Sequence, residues 1–317
     1  MEIIWLLLSL VILYFSAEGL VSGASSLAKR IGISPLVIGL TIVSIGTSAP
    51  ELVVSVKAAL NGQSALSIGN VLGSDFFNIG IILGLSAMIY PLAVKRQLLK
   101  FDVPVMVLVA LLFFLLFLDF EISKIEALVF IVLFVSYTGY LLISSKKNSA
   151  QVKDHDNENE IEIEIRLSKH WTLDILFIGV GLLGLVYGSG LLVENAVIIA
   201  GRLGMSEAMI GLTIVAAGTS MPELATSVVA AMKKRADIAI GNVVGSNIFN
   251  ILFILGVAGL IHPISTPDIS SMDSLFVIGI SLLLWIFMKT STRITRWQGV
   301  AFILFYLIYF FIKLSVS

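Results

Sequence analysis

With 317 residues, 58% of them hydrophobic and 13% charged, and a mean hydropathy of +1.04, this chain is too apolar for a water-soluble domain, which carries about a quarter charged residues. A formal net charge of −1 without a basic stripe argues against a nucleic-acid partner, and the lack of cysteine excludes a disulfide framework and a thiolate metal site. The partner this composition demands is the lipid bilayer.

A hydrocarbon core of roughly 30 Å takes about 20 apolar residues per helix. Breaks at charged or Pro/Gly-rich positions then predict an all-α membrane protein of ten transmembrane helices, near 3–28, 34–59, 66–92, 101–118, 125–144, 171–200, 206–231, 238–262, 272–288 and 297–314. The opening MEIIWLLLSLVILYF lacks a basic n-region and a small-residue cleavage site, so it reads as a retained first helix. Between the fifth and sixth spans lies the one long polar stretch, Ser145 to Lys169. Its Ile/Glu alternation over Glu160–Arg166 fits a short strand, but its charge and amide density favour a solvated linker. The expected organisation is a first five-helix repeat over 1–144, a linker over 145–170 and a second repeat over 171–317. Placing the N-terminus outside puts 16 of the 20 Lys and Arg residues in inner loops, as cytoplasmic loops prefer. A multi-pass protein of the cell membrane follows, with both termini extracellular and a cytoplasmic linker.

An internal repeat organises the rest. Gly39–Ala59 reads GLTIVSIGTSAPELVVSVKAA and Gly211–Ala231 reads GLTIVAAGTSMPELATSVVAA, identical at 15 of 21 positions with an offset of 172. The same offset aligns IGNVLGSDFFNI (Ile68–Ile79) with IGNVVGSNIFNI (Ile240–Ile251). Five spans per half is an odd number, so the two halves are expected to insert upside down, with an ion site where they meet.

Each repeat carries G-T-S-x-P-E: Gly46 to Glu51 and Gly218 to Glu223. Proline has no backbone donor and clashes with the carbonyl four residues back, so Pro50 and Pro222 are expected to free the carbonyls of Gly46 and Gly218 in mid-helix. In lipid such a carbonyl must line a cavity or meet an ion. Thr47 and Glu51 are spaced i, i+4, as are Thr219 and Glu223, and each pair shares a helix face. Ser74 with Asn78 and Ser246 with Asn250 repeat that spacing, and Gly69, Gly73, Gly241 and Gly245 permit close helix approach. The oxygens gathered this way suit a hard cation such as calcium, which takes about 6–8 of them. Two glutamates balance the charge of one calcium, and the neutral oxygens also suit sodium.

The bland alternative for Glu51 and Glu223 is snorkelling or pairing with a base, yet only Lys57 lies near either in its helix. A carboxylate at bilayer depth costs roughly 2.5–3.5 kcal/mol on insertion scales and marks function by default. Asn70, Asn242, Ser55 and Ser227 read instead as helix–helix hydrogen-bonding residues. Asp75, whose counterpart is Asn247, sits about 100° around the helix from Ser74 and is expected to line a passage beside the site. Glu18 and Glu194 either line an access route or pair locally. His155, His170 and His262 fall in or beside loops and read as incidental.

The paired G-T-S-x-P-E and G-N-x-x-G-S-[DN]-x-x-N segments resemble the repeats of the sodium/calcium exchanger family, of prokaryotic type, within the cation/calcium antiporter superfamily. The resemblance spans nearly the whole chain. It implies Glu51 and Glu223 as principal calcium ligands, with Thr47, Ser48, Ser74, Asn78, Thr219, Ser220, Ser246 and Asn250 completing calcium and sodium sites. Backbone carbonyls near Ser44 and Ala216 would join them. It further implies transport without a cofactor, a monomer sufficient for it, first and sixth helices that slide to alternate access, and electrogenic exchange of three sodium ions for one calcium. Potassium-dependent relatives carry aspartate where Asn250 stands, so its absence points to potassium independence. Proton-coupled relatives carry glutamate in the second segment of each repeat, where Asn78 and Asn250 stand. The linker is too short for the calcium-sensing domains of animal exchangers.

Secondary sodium/calcium antiport is therefore the expected function. Proton-coupled and potassium-dependent exchange are the alternatives, and a passive cation channel is a more distant one, since inverted halves favour alternating access. An enzyme is not expected, because no HExxH or His–Ser pairing is present.

Overall fold

The computed structural model describes residues 2–151, 170–204, 216–265 and 271–316. In lipid every backbone polar group needs an internal partner, and helices provide one. The chain accordingly forms α1 (Glu2–Ile31), α2 (Pro35–Thr47), α3 (Ala49–Leu60), α4 (Ser64–Ile89), α5 (Leu98–Leu116) and α6 (Lys124–Gln151). After these come α7 (Trp171–Arg202), the short α8 (Ala216–Thr219), α9 (Met221–Met232), α10 (Ala236–Ile261), α11 (Ser271–Thr290) and α12 (Arg296–Val316). Among the described residues eight helices are long and apolar enough to cross a membrane alone, and α2 with α3, bent by 48°, make a ninth candidate when counted as one span. The predicted span at 206–231 falls partly outside the described residues, where α8 and α9 are its described end. The expected linker, with its strand at Glu160–Arg166, lies outside them as well, apart from the end of α6, which runs to Gln151 rather than stopping at 144.

Four two-residue strands escape sequence reasoning, because periodicity needs longer segments to register. β1 (Leu92–Ala93) pairs antiparallel with β4 (Arg293–Ile294), and β2 (Glu121–Ile122) with β3 (Ile264–Ser265). Leu92 and Ile264 are equivalent under the 172-residue offset, as are Ile122 and Ile294, so the two pairs are one device used twice. Each satisfies loop backbone by joining one half of the chain to the other.

The bundle has an inside and an outside. α4 and α10 are its most buried long helices, whereas α1, α6, α7 and α12 bury less than a third of theirs. α1 and α7 lie antiparallel along one another, tied at one end by Arg30 and Asp174 (3.0 Å) and at the other by Arg202 and Glu2 (2.8 Å). These ion pairs too are exchanged by the offset, which relates Arg30 to Arg202 and Glu2 to Asp174. Small residues let the two helices approach closely: a Cβ added to Gly181 would sit 2.8 Å from the carbonyl oxygen of Ser16.

Candidate cation site

The site is built by breaking a helix. α2 ends in a π-helical turn over Gly39–Val43 followed by one α-helical turn, and at Ser48 (φ −80°, ψ 12°) the chain leaves helical geometry before α3 begins. Pro50 and Pro222 lie in the first turns of α3 and α9, where a missing N–H leaves nothing unsatisfied. This corrects the mid-helix placement expected for them: each proline starts a second helix rather than kinking one. Ser220 (φ −87°, ψ 9°) repeats the break between α8 and α9. The consequence for Glu51 and Glu223 is direct. Both stand in the first turn of a helix, where the positive end of the helix dipole favours a carboxylate.

Across the break the halves exchange contacts. Ser48 Oγ donates to Glu223 Oε1 at 2.7 Å, and Ser220 Oγ donates to Glu51 Oε1 at 3.0 Å. Each glutamate is 1% exposed, and the Oε2 of each is buried without a hydrogen-bond partner. Among the described residues no basic side chain forms an ion pair with either. Buried charge without compensation is expensive, so each of these carboxylates needs a cation or a proton to balance it.

The surrounding side chains hold this centre in place. Asn70 Nδ2 donates to Ser55 Oγ (2.9 Å) and to the Glu51 carbonyl (3.2 Å), fastening α4 to α3. Asn242 Nδ2 does the same to Ser227 Oγ (3.0 Å) and the Glu223 carbonyl (3.4 Å), fastening α10 to α9. These four residues are the helix-to-helix fasteners their sequence positions suggested. Thr47 Oγ1 reaches Asn242 Oδ1 at 3.1 Å and the Ser44 carbonyl at 3.3 Å. That carbonyl also accepts from the Ser48 backbone N–H at 3.0 Å, so here it is engaged locally. Ala216 is the first described residue after Gly204 and begins α8, which Thr219 closes.

On α4 and α10, Ser74 and Ser246 are buried, and Ser246 Oγ has no partner. Asn78 and Asn250 each begin a π-helical turn, Asn78–Leu83 and Asn250–Ile254, a local irregularity common at functional sites. Of the four flanking glycines, Gly241 and Gly245 meet the expectation of close approach: an added Cβ would lie 2.9 Å from the Leu36 carbonyl oxygen and 2.6 Å from that of Leu40. Gly69 and Gly73 are exposed.

A family model described as sodium/calcium exchanger protein matches residues 1–143 and 173–315. The chain belongs to the sodium/calcium exchanger family. Sodium/calcium exchanger MaX1 of Methanosarcina acetivorans is 37% identical over 335 residues, with 95% of each chain covered. Inner membrane protein YrbG of Escherichia coli is 36% identical over 260 residues, covering 81% of this chain and 79% of that one. Among solved structures, the sodium-calcium exchanger NCX_Mj soaked with 2.5 mM Na+ and 0.1 mM Ca2+ superposes with a TM-score of 0.81 at 34% identity, over 97% of this chain and 96% of that one. As a member of this family the chain is a multi-pass membrane antiporter for cations including calcium, not an enzyme, and it requires no cofactor.

Three further acidic residues have their surroundings defined by the fold. Asp75 is fully buried, and its Oδ1 accepts from Asn250 Nδ2 at 2.9 Å. Glu18 pairs locally, with Lys233 at 2.9 Å, and the same ammonium donates to Ser22 Oγ. Glu194 is exposed. His262 Nδ1 lies 2.8 Å from the neighbouring Pro263 carbonyl and His170 occupies the position just before α7, while His155 lies outside the described residues. Asn247 is the participant that sequence reasoning missed. It accepts from Asn78 Nδ2 at 3.0 Å and donates to the Asp75 carbonyl at 3.0 Å. Its place in the second repeat segment, one residue after Ser246, was the available signal.

Proposed function

We propose that the protein is a secondary antiporter that exchanges sodium for calcium by alternating access, electrogenically and without potassium. Calcium is held between Glu51 and Glu223, with Thr47, Ser48, Ser74, Asn78, Thr219, Ser220, Ser246, Asn250 and backbone carbonyls near Ser44 and Ala216 supplying further oxygens for calcium or sodium. The observation that carries this reading is the exchanged pair of serine–glutamate hydrogen bonds, which leaves one unpartnered oxygen on each buried carboxylate. Sodium and calcium compete because both need those oxygens. That MaX1 and NCX_Mj are named sodium/calcium exchangers favours sodium as the coupling ion.

Alternating access requires a site between two related halves, and several observations support ten spans in two inverted repeats. The two family matches begin at residues 1 and 173, which is again an offset of 172. Strand pairing puts the loops carrying β1 and β4 on one side of the membrane, so an even number of spans must separate them. Five described long helices intervene, α5, α6, α7, α10 and α11, and counting the described α8 and α9 as a sixth crossing makes the number even. β2 and β3 demand the same crossing. The β1–β4 pair and the Lys95–Asp237 ion pair (3.5 Å) join loops that the charge bias places in the cytoplasm. The Arg202–Glu2 pair joins positions it places outside. Both termini are then extracellular, in a cell membrane, and a single chain holds the complete site. α1 and α7, peripheral and fastened to one another, form the unit that slides across the site.

The test is isotopic calcium uptake into proteoliposomes with sodium, potassium and proton gradients imposed separately. An outward sodium gradient accelerates uptake, and a potassium-selective clamp of the membrane potential alters the rate. Uptake that follows only the pH gradient would replace sodium by protons as the coupling ion, and unitary currents would replace exchange by a channel.

A further inference from the structure

The two halves match in sequence but not in packing. α1 lies along α9, whereas their equivalents under the 172-residue offset, α7 and α3, barely meet. Burial follows the same division. Ser26 on α1 is 2% exposed, and its equivalent on α7, Ile198, is 39% exposed. Val229 on α9 is buried, and its equivalent on α3, Lys57, is exposed. In the topology proposed above α9 ends at the cytoplasm and α3 outside. The α1–α9 contact is then a closure on the cytoplasmic side, and its extracellular equivalent stands open.

One ion pair crosses the closed contact. Lys233, at the end of α9, reaches Glu18 Oε1 on α1 at 2.9 Å and donates to Ser22 Oγ at 3.0 Å. The offset gives this pair no copy, because Glu18 corresponds to Gly190 and Lys233 to Asn61. It does put Glu194 where Ser22 stands. Lys57 lies four residues before Asn61 on α3, a spacing that puts both on one helix face. Glu194 and Lys57 are exposed, and among the described residues neither forms an ion pair.

Inverted halves make the two access states exchanged arrangements, in which each half takes the packing that the other had. Exchange carries α7 onto α3 and sets Glu194 against Asn61, one helical turn from the Lys57 side chain. It also draws α1 away from α9 and parts Glu18 from Lys233. We propose that Glu18–Lys233 and Glu194–Lys57 are alternating latches. The first holds the cytoplasmic side shut, and the second forms when the extracellular side shuts. This rests on the reading of α1 and α7 as the sliding unit. A pair made in one state only shifts the balance between states, and for a partly exposed pair the shift is about threefold.

The chain has no cysteine, so single introduced thiols report accessibility without background. Ile198→Cys and Ser26→Cys are labelled separately by a hydrophilic thiol reagent in lipid nanodiscs, which leave both faces open. The ratio of the two rates, relative to the parent, follows the ratio of outward-open to inward-open protein. Glu18→Gln lowers that ratio about threefold. Adding Glu194→Gln or Lys57→Gln to Glu18→Gln restores it, whereas adding the charge-exchanged pair, Lys57→Glu with Glu194→Lys, leaves it low. A ratio that Glu18→Gln leaves unchanged, or that the second substitutions fail to restore, overturns the latches. Restoration by the charge-exchanged pair as well overturns them too, because the effect is then not ionic. In proteoliposomes, a short reducible dithiol linker between Glu18→Cys and Lys233→Cys arrests sodium-driven calcium uptake until reductant is added. Full uptake with the linker in place defeats the sliding of α1 and the latches with it, whereas arrested uptake with unshifted ratios defeats the latches alone.

Discussion

Glu51→Gln and Glu223→Gln each lower calcium exchange at least about 100-fold, a loss of roughly 2.7 kcal/mol or more in ion binding, while the protein still inserts and purifies intact. The glutamine is nearly isosteric, so packing survives the change. What goes is half the negative charge that a divalent ion meets, and one of the two unpartnered buried oxygens. In addition, Ser48 or Ser220 now faces an amide that can present a donor where the carboxylate only accepted. Insertion is not harmed, because removing a carboxylate from bilayer depth saves roughly 2.5–3.5 kcal/mol on insertion scales. Size-exclusion profiles and calcium uptake on the same preparations separate the two effects. Wild-type exchange in either variant would remove these residues from the site.

Gly245→Ala has nearly as large an effect and works entirely through geometry. The added methyl would lie 2.6 Å from the Leu40 carbonyl oxygen, 2.7 Å from Leu40 Cα and 2.7 Å from Ser44 Oγ. Two of those atoms are backbone and cannot swing aside, so α2 has to move away from α10. α2 leads directly into Thr47 and Ser48, which reach Asn242 and Glu223 across the interface. Overpacking of this kind costs about 1–3 kcal/mol in stability. A displacement near 1 Å at a preorganised site costs about 100-fold in function. The equivalent glycine of the first half is the control. A Cβ on Gly73 meets nothing within 4 Å, so Gly73→Ala keeps exchange within about a factor of three, since a surface-like change stays within about 0.5 kcal/mol. Thermal midpoints and uptake rates of the two variants decide the matter. Equal behaviour would mean that the α2–α10 approach does not set the site.

Much of this architecture can be read from residues, for identifiable reasons. Long apolar spans have only one way to satisfy their backbone in lipid, which is why α1, α4, α7 and α10 fall within a few residues of their expected limits. Duplicated Glu51 and Glu223 stand out because carboxylates are rare at that depth. The proline effect was legible in kind but not in place. A proline disrupts a helix, but whether it kinks the middle or starts a new segment depends on the break at Ser48, a backbone conformation that no residue type announces. β1 to β4 are invisible because two residues carry no period; they exist through tertiary pairing. The partner of Asp75 was not legible, because a helical wheel gives an angle relative to Ser74 but says nothing of what packs there, and Asn250 arrives from the other half of the chain. The cross-donation from Ser48 to Glu223 and from Ser220 to Glu51 has the same origin. It depends on how two distant segments meet, which the repeat announces and only the fold resolves.

The central assertion is that a calcium ion and sodium compete for oxygens shared by Glu51 and Glu223. Equilibrium binding of isotopic calcium to the purified protein, titrated with sodium at constant ionic strength, addresses it directly. The account predicts that sodium displaces calcium completely, where an equal concentration of a large organic cation displaces none. Calcium that stays bound at saturating sodium, or that both salts displace equally, contradicts it.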